Sequence, residues 1–419
     1  MQPASSGPGE DSQMNEAGLS GGLETAGDGR NVARRDWLLL SLTGLLTVGI
    51  LAGSVELIAR YMFSASKALM ANCMVMDDPL TGPRANPNTV CSEKDPETPL
   101  IEYRFNGCGH RAGIECGPKA PGTFRIVMTG SSLALGEGVE QDKTFAALLP
   151  AELTQSTGKK VEVYNEAQGW GFSHSATLRF DKVIEADPDL VLWVLNPADI
   201  EGASEMNLTS KSELQQREQS LPAKIVRRIK EARGSGSLAD AMAELFGRTR
   251  TTILVRHFLY KSQSQFVKSY LMVGDMEAGY LKPEYSATWK DHVRQFEADV
   301  TANAARAKAA GVPLVVTMVP NRGQAAMISL GHWPSGFDPY KLDEELRAIV
   351  VRDGGVYLDI LPEYRNVPSP EQDYFPVDGH PDAHGHATIS RILAHALTSG
   401  AIPALKTNGP SQVALDEGR

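Results

Sequence analysis

The sequence predicts an α/β protein: a doubly wound three-layer α/β/α sandwich with a five-stranded parallel sheet, preceded by one N-terminal transmembrane helix and interrupted by a helical insertion. Three observations carry this prediction. From about residue 123 onward, short apolar runs alternate with longer amphipathic ones, the pattern of parallel strands joined by helical crossovers. Nineteen residues, Trp37 to Val55, carry no charge; at about 1.5 Å per residue they roughly span a hydrocarbon core about 30 Å thick. All four cysteines fall between residues 73 and 116, ahead of the first strand.

Composition narrows the function classes. Against 41 Lys and Arg stand 51 Asp and Glu, and a net charge of −10 over 419 residues argues against a nucleic-acid binder. Residues 1–36 are rich in Gly, Ser and Ala and lack hydrophobic periodicity, so they cannot bury enough apolar surface to offset the entropy of ordering. A disordered cytoplasmic tail is expected there. The transmembrane segment, 37–60, follows Arg34-Arg35 and closes with Glu56 and Arg60, while Trp37 and Tyr61 stand near its ends, where amphipathic rings favour the interface. A buried soluble helix is one rival reading. A cleaved signal is another, because Arg34-Arg35-Asp36-Trp37-Leu38 resembles a twin-arginine export signal. No clear A-x-A site follows at the right distance, which favours an uncleaved anchor.

Positive charge orients this helix weakly, with Arg30, Arg34 and Arg35 before it and Arg60 and Lys67 after it. The cysteines say more. Cys73, Cys91, Cys108 and Cys116 form an even, clustered set within the lead-in 61–122, which suggests two disulfides in an oxidising compartment. Neighbouring cysteines close the shorter loops, favouring Cys73–Cys91 and Cys108–Cys116, although three pairings are possible. A zinc site is the alternative, weakened by the absence of any C-x-x-C. The main domain is therefore expected outside the cytoplasm.

The strands of that domain, 123–400, are expected at Phe124–Thr129, Val161–Tyr164, Leu190–Leu195, Val312–Met318 and Gly355–Ile360. Helices are expected near Phe145–Gln155, Ser173–Ala186, Ala287–Ala310 and Asp338–Arg352, with a last one after Pro381 whose apolar face holds Ile389, Leu393 and Leu397 and which ends near Gly400. Ligands of such sheets sit outside the carboxyl ends of the strands. The insertion, 201–286, is longer than a crossover needs. From Arg217 to Lys268 it holds eleven Lys and Arg against four Asp and Glu, with apolar residues such as Ile253, Leu254, Phe258 and Leu259 at near-helical spacing. It reads either as a helical subdomain with a solvated basic face or as a cap that touches anionic headgroups or an acidic polymer. Residues 401–419 are expected to form a flexible tail.

Chemistry begins where the first strand ends. The run Gly130-Ser131-Ser132-Leu133-Ala134-Leu135-Gly136-Glu137-Gly138-Val139 resembles the first block of the SGNH (GDSL-type) hydrolases, with Ser132 in the nucleophile's place. Near the other end of the chain, Asp378-Gly379-His380 within Tyr374–His386 resembles the family's last block. The resemblance implies that His380 takes the proton from Ser132 and that Asp378 orients and charge-stabilises His380. It also implies an SGNH or flavodoxin-like fold and no cofactor. A metal site from His380, Asp382, His384 and His386 is the other reading of this segment, against Asp382 as a helix N-cap and the last two histidines as helix residues.

The middle blocks match less closely. Tyr164-Asn165-Glu166-Ala167-Gln168-Gly169-Trp170-Gly171 is similar to the second block, whose glycine amide joins the oxyanion hole, a place for Ala167 or Gly169. Leu195-Asn196-Pro197-Ala198-Asp199 is similar to the third, with Asn196 as oxyanion donor beside the amide of Ser132. Asn106, Gly109 and Arg111 fit the N-x-x-G-x-R lead-in of membrane-anchored bacterial members. By that resemblance the chain is a single-pass protein of the bacterial inner membrane, its N-terminus cytoplasmic and its main domain periplasmic. Its implied role is that of a serine esterase or O-acyltransferase acting on an acyl ester of an envelope polysaccharide or lipid. The departure is Ser131, where the family carries Asp; a degenerate relative that only binds glycan or lipid is the alternative. Arg322, after the fourth strand, could meet an anionic substrate at the sheet's carboxyl edge, but it is expected to be a solvated loop residue outside the site. The residues identify no protein partner.

Overall fold

The computed structural model describes residues 34–407 apart from 67–69, 77, 79, 170–171, 202–248 and 273–277. Residues 1–33 of the expected tail, most of the insertion and most of 401–419 lie outside the described residues, while Arg34–Asp36, expected in the tail, are already helical. The chain divides into two compact units, Met1–Ser54 and Val55–Arg419.

Helix α1 (Arg34–Met62) begins in the first unit. It is the one described helix long and apolar enough to cross a membrane, over Asp36–Met62. Its leucines face outward: Leu38 is 73% and Leu45 is 72% exposed, unlike the core helix of a soluble protein. Ser41 and Thr43 return their hydroxyls to the carbonyls of Trp37 and Leu39, so neither leaves an open donor on the apolar surface.

The second unit is built on five parallel strands, β1 (Thr123–Gly130), β2 (Lys160–Asn165), β3 (Leu190–Leu195), β4 (Leu314–Met318) and β5 (Val356–Leu358), in the order β2-β1-β3-β4-β5. Their side chains alternate between two cores. Ile126 and Met128 of β1 pack with Leu149 and Leu393, from α3 (Phe145–Thr157) and α12 (Ala383–Ala396). Val127 packs on the other face with Phe296 of α9 (Ala287–Ala310) and Leu346 of α11 (Lys341–Arg352). Both faces are covered, which is why β3 reads as an unbroken apolar run.

Three local expectations need correction. The helix expected over Ser173–Ala186 is two short helices, α4 (Ser173–Leu178) and α5 (Phe180–Glu185). They part at Arg179, whose buried guanidinium turns inward to Glu166 (2.6 Å) and the Pro83 carbonyl (2.7 Å). Strand β5 is shorter than Gly355–Ile360. Arg322 is no solvated loop residue: it opens helix α10 (Arg322–Leu330) and is 3% exposed.

The lead-in carries both disulfides, Cys73–Cys91 and Cys108–Cys116. It adds two small antiparallel ladders, Met74–Val75 with Arg84–Ala85 and Val90–Glu93 with Ile101–Arg104.

Candidate active site

Strand β1 ends at Gly130 because only glycine fits: a Cβ there would lie 2.3 Å from the Val194 carbonyl oxygen and 2.7 Å from the Ala134 Cβ. The chain then turns sharply. Ser132 opens the one-turn helix α2 (Ser132–Leu135), so its amide is among those with no intrahelical acceptor. Gly136 ends α2 in the left-handed region, at φ 84°. Arg111, buried at 2% exposure, donates to the carbonyls of Leu135 (3.0 Å), Gly136 (2.5 Å) and Val139 (2.6 Å) and so clamps the loop behind the serine. Asn106 builds the turn that delivers it, accepting from the amides of Cys108 and His110 at 3.0 Å each.

Across 248 positions of sequence, His380 Nε2 lies 2.8 Å from Ser132 Oγ. Its Nδ1 is 2.7 Å from Asp378 Oδ1, which also accepts the His380 amide at 3.1 Å. With the Nδ1 proton directed at Asp378, a neutral imidazole presents Nε2 to the serine as acceptor. The loop is held from outside the sheet. Glu97 Oε2 accepts the amides of Val377 and Asp378, both at 2.8 Å. Arg322 donates to the carbonyls of Glu371, Pro376 and Tyr260 and stacks on Phe266 at 3.8 Å.

Ser131 stands in a buried polar cluster. Its hydroxyl accepts from Asn196 Nδ2 at 3.2 Å and donates to the Asp199 carboxylate, which also accepts the Asn196 amide at 2.7 Å. Burial pushes Asp199 up to about 7, although both hydrogen bonds pull the other way. A carboxylate therefore does stand beside the turn, contributed by another segment of the chain. The Ala167 amide is engaged by Asn165 Oδ1 (3.1 Å), and neither Ala167 nor Gly169 lines the pocket.

That pocket, about 560 Å³, opens at the carboxyl edge of the sheet. Ser132, Asn196, Asp378 and His380 line one side. The far wall includes Arg256 of α7 (Arg250–Leu259), Tyr260 that caps its end, and Tyr270 from α8 (Gln263–Met272).

Burial would lower His380, but the Asp378 hydrogen bond and the charges of Glu137, Asp378 and Asp95 raise it to about 9. Burial likewise favours a neutral Asp378; its contacts with His380 outweigh this and hold the carboxyl below its ordinary value. Glu93, Asp95 and Glu137 bring their ligand atoms within 4.8 Å of one another. Burial raises both Asp95 and Glu137. These three have the donors for a metal, and the Ser–His–Asp chemistry does not call on one. His384 and His386 belong to α12, and the Asp382 carboxylate caps it by accepting the amides of His384 (2.8 Å) and Gly385 (3.0 Å). His386 is fully buried against Phe145, accepts that residue's amide at 3.2 Å, and burial pushes it down to about 3.

Three residues escaped the sequence reading. Asn321 caps α10 through the Gln324 amide (2.9 Å), and the Asn-x-x-Gln spacing was the available signal for that helix and hence for Arg322. Asp199 stood inside a quoted motif. Glu97 had no local signal, because its partners His257, Val377 and Asp378 lie 160 to 281 positions away.

No family model matches the chain, and no curated protein does. Solved structures with a resembling fold include TesA, with a TM-score of 0.35 at 11% identity over 66% of this chain and 98% of that one. A lipase/acylhydrolase from Enterococcus faecalis gives 0.34 at 11% identity, covering 65% of this chain and 95% of its own. An acetyl xylan esterase from Geobacillus stearothermophilus gives 0.35 at 10% identity, covering 65% and 94%.

Proposed function

We propose that this chain is a membrane-anchored SGNH-type serine esterase or O-acyltransferase, acting through Ser132 on an acyl ester of an extracytoplasmic glycan or lipid. One observation carries the reading: a serine on a tight strand-to-helix turn, 2.8 Å from a histidine that a carboxylate orients, at the mouth of a pocket.

In the first half-reaction Ser132 Oγ adds to the ester carbonyl while His380 Nε2 takes its proton. The developing oxyanion meets the Ser132 amide and the second Nδ2 hydrogen of Asn196, the first being used on Ser131. The tetrahedral centre collapses, the C–O bond to the alcohol breaks, and His380 returns the proton to that alcohol. Water or a second hydroxyl then attacks the acyl-serine, with His380 again as base, and the serine is regenerated. The two disulfides and the uncharged run before Glu56 support a main domain held at the outer face of the membrane.

Replacing Ser132 by Ala tests this directly. Turnover of a short chromogenic ester is expected to fall by about 10³-fold or more. A serine-reactive phosphonate should label Ser132 in the parent chain. Unchanged turnover in the variant, or no labelling of folded protein, sinks the assignment.

A further inference from the structure

Helix α7 is fixed on two sides and open on the third. At its start, the Glu56 carboxylate accepts from the amides of Arg250 (3.2 Å) and Thr251 (2.9 Å) and from the Thr251 hydroxyl (2.7 Å). Glu56 lies in α1, immediately after the uncharged run that ends at Val55. Two turns further along α1's direction, Phe63 packs on the His257 ring with centroids 5.2 Å apart. His257 Nδ1 is in turn 2.7 Å from Glu97 Oε1, the carboxylate that holds the Asp378 amide. On the second side, Arg256 and Tyr260, one turn apart, line the pocket.

The third side is apolar and exposed. Val255, Phe258 and Leu259 are 50%, 56% and 51% exposed and fall at i, i+3 and i+4. Between residues 250 and 272 the chain carries four Lys and Arg and no Asp or Glu. An apolar stripe on a segment whose own charges are all cationic, hydrogen-bonded through Glu56 to the end of an uncharged helical run, has the chemistry of a helix lying among anionic headgroups.

We propose that α7 lies in the headgroup layer of the membrane that α1 enters, with Val255, Phe258 and Leu259 toward the acyl chains. The pocket at Ser132 then receives its acyl ester from an amphiphile resident in that bilayer. This deepens the esterase reading above and rests on it and on α1 as a membrane span.

The test uses the full chain in vesicles of phosphatidylcholine and phosphatidylglycerol, beside a Phe258→Ser, Leu259→Ser double variant. A long-chain nitrophenyl ester dissolved in the bilayer is compared with nitrophenyl acetate in water. The variant should lose about tenfold in kcat/KM on the bilayer-borne ester and keep its turnover of the acetate. Equal retention of both activities overturns the proposal. Independently, a Phe258→Trp chain in vesicles with headgroup-proximal brominated lipid should show quenching beyond that of the native tryptophans. No excess quenching overturns the proposal whatever the activities are. Excess quenching in a chain that turns over neither ester keeps α7 at the membrane and removes the esterase reading. A chain that carbonate washes from the vesicles removes the anchor and the proposal together.

Discussion

The two halves of the candidate site are held in different ways. Ser132 sits at the end of a strand buried on both faces, and its loop is shaped by a glycine with no room for a side chain and by one buried guanidinium. Asp378 and His380 sit on a loop whose anchors, Glu97 and Arg322, reach in from the lead-in and from a helix after the fourth strand. The serine half is a product of the sheet; the histidine half is assembled from distant parts of the chain. The first should therefore fail as a unit with the fold, whereas the second should be tunable.

The hardest break of that contrast is Arg111→Met. It leaves three loop carbonyls without their donor in a buried place, and a stability loss of about 3 kcal/mol is expected, together with loss of phosphonate labelling at Ser132. Denaturant melts and labelling check the two together; full labelling in a destabilised chain would show that the clamp shapes nothing at the serine.

Next comes Glu97→Ala. The melt should move less than for Arg111→Met, while kcat/KM falls about 10-fold to 100-fold because Asp378 and His380 lose their positioning. Glu97→Gln retains an oxygen for the two amides and should recover part of the loss. Steady-state kinetics of the two variants separate positioning from simple bulk.

The smallest expected effect is in the pH profile. His380 must be neutral to accept the serine proton, and its raised value near 9 means that kcat/KM climbs as pH rises through that value. Glu137→Gln removes one of the charges that favour the imidazolium, so the rise should move to lower pH, by about half a pH unit. A rise that stays in place would assign the shift to Asp378 and Asp95. The sign for stability is opposite to that for turnover. A histidine raised on folding contributes stability that is fully present below its unfolded value of about 6.5 and is lost as pH climbs through 9.

The same contrast explains what was legible in the sequence. Strand β3 falls where its apolar run places it, at Leu190–Leu195, because both of its faces are buried and periodicity is a local property. Gly130 through Gly138 announce the serine loop, since tight turns demand glycine at fixed offsets. Asp378 and His380 were readable as a local pair, but the role of Glu97 is a tertiary fact without a sequence neighbourhood. The break at Arg179 belongs to the same class: its cause, Glu166, lies thirteen positions away in the loop after β2. Asp199 shows the limit of reading by motif, because the carboxylate that meets Ser131 comes from beyond β3 and leaves no mark in the serine run itself.

Arg111 lies inside the ring that Cys108 and Cys116 close, eight positions apart. In a compartment that keeps thiols reduced this ring is open, and the turn that aims the guanidinium at Leu135, Gly136 and Val139 is held by hydrogen bonds alone. Opening this ring is therefore expected to loosen the Arg111 clamp on the serine loop, which links the shape of the site to the oxidation state of two sulfurs that lie outside the pocket.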